Sequence, residues 1–157
     1  MKSKILVSIS AAVVWFAAAS FLYAADPVLG TWKLNVAKSK FSPGPAPKSS
    51  TVTYEAVGDA VKRTGEGIAA DGKKTGWSYT AKFDGKDYPV TGSENLDAIS
   101  IKKIDDHSTE STMKRAGKAV GSAKRTISKD GKVMTITTTG TNAKGEKFNN
   151  VVVYDKQ

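Results

Sequence analysis

The chain has 157 residues, no cysteine and a formal net charge of +9. No disulfide can form, and this length supports one domain that buries roughly two-thirds of the surface its unfolded chain exposes. The basic balance favours anionic partners and solubility and says nothing about fold.

Lys2 and Lys4 precede an apolar run over residues 5–19 that only Ser8 and Ser10 interrupt, and Ala24 and Ala25 come just before Asp26-Pro27. A basic end, an apolar stretch and small residues at a junction are the three parts of a secretory signal peptide. The expectation is therefore cleavage after Ala25 or Ala24, leaving residues 26–157 as an exported domain, periplasmic or secreted. The rival is a retained anchor, since the run continues through Phe21-Leu22-Tyr23 to about 20 residues, enough to span a bilayer as a helix. Cleavage is preferred because a charge and a proline follow the alanines at once, and no membrane span is expected after it. Loss of Lys2 and Lys4 takes the net charge from +9 to +7, because all fifteen acids lie beyond residue 25.

From residue 30 onward, Gly and Asp/Asn pairs punctuate the chain every 8 to 12 residues or so, as in Gly58-Asp59, Asp71-Gly72, Asp84-Gly85, Asp130-Gly131 and residues 142–145. Between them the periodicity is two: Val52, Tyr54 and Ala56 alternate with Thr51, Thr53 and Glu55, and Trp77, Tyr79, Ala81 and Phe83 alternate with Ser78, Thr80 and Lys82. One face is buried and the other wet, which points to an antiparallel sheet. The runs give about ten strands, over residues 30–36, 50–57, 60–69, 74–83, 87–90, 97–104, 108–115, 119–128, 132–141 and 147–155, a number suited to one closed up-and-down β-barrel. The fold class is all-β with little helix. Residues 36–41 fit one helical turn before Pro43 stops it, and Pro43, Pro45 and Pro47 with Lys48 read as a stiff extended crossing over a barrel end.

The segments "GTWKL" from Gly30, "KRTISKDGKVMTIT" over residues 124–137 and "VVVYDK" over residues 151–156 resemble the first strand, penultimate hairpin and last strand of the intracellular fatty-acid-binding proteins, within the calycin superfamily that includes the lipocalins. The longer opening stretch, residues 30–49, also resembles a set of exported bacterial proteins of unassigned function. The calycin resemblance implies that Trp32 packs across the closed end of a barrel. Two departures stand out. Residues 35–49 are too short and proline-rich for the two-helix lid of fatty-acid-binding proteins. The Arg-x-Tyr pair that binds the fatty-acid carboxylate there keeps Tyr154 but has Val152 in place of the arginine.

One substitute for the missing arginine exists. Arg125 shares a period-two face with Gly121, Ala123 and Ile127, so it can point inward and meet an anionic head group. The opposite phase, with Val120, Ser122, Lys124 and Thr126 inside, leaves Arg125 in solvent, and the poor alternation of this strand keeps both open. Tyr54, Trp77, Tyr79, Arg125 and Tyr154 are the candidate ligand-binding residues; the aromatics among them either line a cavity or fill a solid core.

Catalytic and metal-binding patterns are missing from the sequence. His107 is the only histidine, lies beside Asp105 and Asp106 in a turn, and has no partner with which to complete a metal or nucleophilic site. The Asp-Gly turns lack calcium-loop spacing, and no cofactor motif occurs. The expected function is a non-enzymatic exported barrel that binds a small hydrophobic or amphipathic anionic ligand, without cofactor, metal or nucleic acid. The alternative is an envelope interaction module whose cationic surface includes Lys38, Lys40 and Lys48. The oligomeric state is not readable from the sequence.

Overall fold

The computed structural model describes residues 26–157, so both readings of the first 25 residues lie outside the described residues. Ten strands follow in order: β1 Gly30–Leu34, β2 Ser49–Val57, β3 Ala60–Ile68, β4 Lys74–Ala81, β5 Asp84–Thr91, β6 Ala98–Lys103, β7 Ser108–Arg115, β8 Lys118–Ile127, β9 Val133–Thr141 and β10 Lys147–Lys156. Each pairs antiparallel with the next, and β1 pairs with β10 to close the ring. The closed up-and-down barrel is the architecture expected from the sequence, and closure leaves no free edge in the ring.

The turns explain why the chain reverses where it does. In three hairpin connections and at the start of β5 an aspartate accepts the backbone N–H two residues on: Lys73 to Asp71 and Lys86 to Asp84 at 3.0 Å, His107 to Asp105 at 2.8 Å, and Lys132 to Asp130 at 3.1 Å. An aspartate side chain used this way imitates a backbone turn. Gly131 then supplies the positive φ, 71°, that the turn after Asp130 requires.

Several strand ends differ from the sequence reading, each for a local reason. β5 begins at Asp84 rather than residue 87, because its register against β6 shifts between Asp84 and Asp87 and the turn-like residues join the ladder. β1 stops at Leu34 because Asn35 accepts the Lys38 N–H at 3.1 Å and caps a single 3-10 turn, Val36–Lys38. The chain then resumes along β10: Lys40 and Val151 exchange both backbone hydrogen bonds, and Asn149 donates to the Ser42 carbonyl at 2.7 Å. Pro43 to Pro47 lie beyond this contact, where no ladder requires the N–H that proline lacks.

The interior has two halves. Around the end that carries Val28 and Gln157, Trp32, Val28, Val52, Met134 and Tyr154 form one cluster. Trp32 is 0 % exposed, and its indole N–H donates to the Val28 carbonyl at 2.7 Å, which satisfies the polar group that so large a buried ring brings with it. Tyr79, Ala81, Val90, Leu96, Ile99 and Ile101 on and beside β4, β5 and β6 form the second cluster, and Phe83 packs against both.

Candidate ligand-binding site

Pairing register carries the site residues to one place. Residues directly opposite in an antiparallel ladder share a face. Tyr54 on β2 pairs with Arg63 on β3, and Arg63 pairs with Tyr79 on β4, so the three lie in one inward row. Arg125 on β8 is opposite Thr109 on β7 and Ile136 on β9 in a second row. In the ring order β3 and β8 are on opposite walls. Their two arginines therefore converge from both sides on one interior cavity of about 110 Å³, whose lining also includes Trp77, Ile99, Ile101, Met113 and Thr138.

Both guanidinium groups are buried, each residue only 7 % exposed. Arg63 folds back along its own strand, with Nη1 donating to the Trp77 carbonyl at 2.6 Å and Cζ 3.6 Å from the centre of the Trp77 ring. It lies in the space a side chain at Gly65 would fill: a Cβ there would meet Nη1 and Nη2 at 2.7 Å. Arg125 reaches across the barrel, with Cζ 5.2 Å from the Tyr54 ring and 5.1 Å from that of Phe83. Its Nε is buried with no hydrogen-bond partner among the described residues.

No carboxylate balances this charge. Every Asp and Glu among the described residues is exposed or half-exposed, and their ion pairs are with surface lysines. The phenols do not take over that role. Burial, and then the nearby Tyr54, push the Tyr79 phenol up despite the opposing pull of Arg125 and Arg63. Burial likewise raises Tyr154, against a hydrogen bond with Ser50 and the field of Arg63. Both stay neutral across the ordinary pH range, while an arginine in a protein keeps its charge.

Magnitudes separate the two arginines. Burying an ion costs several kcal/mol after relaxation. A hydrogen bond from a charged group returns about 1.5–3 kcal/mol, and a cation–π contact about 0.5–2 kcal/mol. Arg63 has a short hydrogen bond and a close stack, which together offset most of its cost. Arg125 has two contacts beyond 5 Å and an unpaired donor, so its charge is the uncompensated one.

Tyr54, Trp77, Tyr79 and Arg125 thus line one cavity, with Arg125 in the inward phase of the two left open by the sequence. Tyr154 does not line it; it lies in the cluster around Trp32 with its hydroxyl 3.2 Å from Ser50 Oγ. Arg63 is the residue the sequence reading missed. Its signal was present in Val61, Arg63, Gly65 and Gly67, which share a period-two face on which Gly65 leaves room for one long side chain.

A larger concavity, about 510 Å³, lies over the outer faces of β6 to β9 and is lined by Lys102, Glu110, Thr112, Lys124 and Thr137 among others. Those side chains are mostly exposed and already solvated, so nothing there calls for a ligand. Lys38 is paired with Asp155 at 3.7 Å, and Lys40 and Lys48 are exposed. Among the described residues no group of three or more His, Asp or Glu side chains is arranged to hold a metal ion. No helix there is long and apolar enough to cross a membrane.

No family model matches the chain, and no curated protein matches it in sequence. Its fold is similar to that of solved calycin-like barrels. The zebrafish ileal bile acid-binding protein, solved in complex with cholic acid, aligns with a TM-score of 0.52 and 12 % identity over 83 % of this chain and 99 % of that one. The protein Rv2717c of M. tuberculosis aligns with a TM-score of 0.51 and 15 % identity over 83 % of this chain and 93 % of that one. At these identities the likeness is one of fold.

Proposed function

We propose that this protein is an exported, non-enzymatic barrel that binds a small amphipathic anion in its interior, with Arg125 and Arg63 as the charged partners and Tyr54, Trp77 and Tyr79 as the wall. The observation that carries the reading is the buried Arg125 guanidinium, whose Nε has no hydrogen-bond partner among the described residues and whose Cζ lies 5.2 Å and 5.1 Å from the Tyr54 and Phe83 rings. A fold optimised only for packing would put a methionine or leucine there. A barrel of similar fold solved in complex with cholic acid supports small-molecule binding as a role for such a barrel. Export rests on the basic, apolar and small-residue succession of residues 1–25, and on the resemblance of residues 30–49 to exported bacterial proteins.

Native mass spectrometry of the protein recovered from its own cells or medium without unfolding tests the binding reading. The expected result is a stoichiometric small-molecule adduct that is missing from Arg125→Met. A wild-type protein that carries no adduct and shows no affinity for any added anion contradicts it. N-terminal sequencing of the same sample tests signal cleavage: a start at Asp26 or Ala25 supports it, and an intact Met1 contradicts it.

A further inference from the structure

Resting on that reading, we infer that the ligand is a compact monocarboxylate carrying about one ring of apolar surface, held through Arg125, and not a long-chain or polycyclic anion. Three observations narrow the class. The cavity is about 110 Å³, below the roughly 300–1,000 Å³ of pockets for drug-sized ligands and close to the ~150 Å³ of a protein cavity that holds benzene. The long tail of a fatty acid or the four fused rings of a bile acid is far larger than this space, whereas a single ring is of the same order.

The charges count to one. Arg63 is committed to the Trp77 carbonyl and stacked on the Trp77 face, and Gly65 is what allows it to lie there. Arg125 holds the free donor. One carboxylate on Arg125 therefore satisfies the unpaired group, and Arg63 adds field from the opposite wall. A planar carboxylate also matches the guanidinium fork better than a tetrahedral oxyanion of the same charge.

The remaining walls fit the other part of the molecule. Ile99, Ile101, Ile136 and Met113 offer only apolar surface, and the Tyr54 ring beside Arg125 gives a flat side to the slot. Thr109, opposite Arg125 in the ladder and itself buried, adds a polar residue to the lining.

The test is calorimetric titration of the purified protein, stripped of any endogenous adduct by unfolding and refolding, with benzoate, benzamide, dodecanoate and inorganic phosphate in turn. Benzoate is expected to bind at least tenfold more tightly than each of the other three, and to move the ¹H–¹⁵N resonance of the Arg125 Nε–H downfield. Arg125→Met is expected to lose benzoate binding; the resonance shift in the wild type decides the matter if that variant does not fold. Tighter binding of dodecanoate overturns the compact-ligand inference and leaves anion binding standing. Phosphate as tight as benzoate overturns the ring and planarity argument alone. Benzamide as tight as benzoate, or no binding by any anion, overturns this inference and the proposed function together.

Discussion

Substituting Arg125 by methionine separates a residue kept for binding from one kept for folding. The buried guanidinium costs several kcal/mol on transfer from water, and its two aromatic contacts, both beyond 5 Å, return about 0.5–1 kcal/mol each. Methionine fills most of the same volume, adapts to irregular space and brings no charge. The ligand-free variant should therefore be more stable than the wild type by about 1–3 kcal/mol. For a domain of this size that is a rise in Tm of roughly 3–10 °C. The assay is paired urea and thermal unfolding of both proteins after refolding from denaturant, with and without excess benzoate. Ligand should raise the wild-type midpoint, since binding to the folded state alone adds RT ln(1 + [L]/Kd), and should leave the variant unmoved. A ligand-free variant less stable than the wild type by 1 kcal/mol or more would refute the reasoning, because Arg125 would then be an integral part of the core.

Gly65→Ala has no backbone obstacle, since Gly65 does not adopt a positive φ, but its Cβ would meet the Arg63 guanidinium at 2.7 Å. We expect Arg63 to leave the Trp77 face and the indole emission to change; an unchanged spectrum contradicts the stacked geometry. Trp32→Ala should cost about 3–5 kcal/mol in urea unfolding, the range for removing a fully buried large aromatic, and a loss below 1 kcal/mol would show that Trp32 does not plug the barrel end. The Ser108 hydroxyl, and then the His107 N–H, hold the Asp105 carboxyl below its ordinary value of 3.8. A carboxylate lowered in the folded state contributes stability above its unfolded value that is lost as pH falls through the folded one. Asp105→Asn should therefore flatten the acid limb of the stability profile below about pH 4, and an unaltered limb counts against the turn bond.

Most of the barrel was legible because one buried and one wet face force a period of two, and because each Asp-centred turn has its own chemistry. The sheet ends were less so. Asp84-Gly85-Lys86 looks like a turn and is one in its hydrogen bonds, yet a register shift takes it into β5. The interior charge was half legible. Gly121, Ala123 and Ile127 gave Arg125 an inward option that the register against Thr109 and Ile136 resolves. Arg63 was overlooked because Lys62 and Glu66 around it make the segment read as solvated, and its burial depends on Gly65 and on Trp77, a residue on a different strand. Tyr154 differs: the family resemblance offered it as a ligand contact, whereas its hydroxyl lies 3.2 Å from Ser50 Oγ in the cluster around Trp32.

The central claim is that an anion belongs beside Arg125. The most direct measurement is an atomic-resolution crystal structure of the protein purified from its own source without unfolding. The account predicts density for a small anion within hydrogen-bond distance of the Arg125 guanidinium, in the cavity lined by Tyr54, Trp77, Ile99 and Ile101. A dry or water-filled cavity, or an Asp or Glu of the chain itself turned inward onto either arginine, would contradict it.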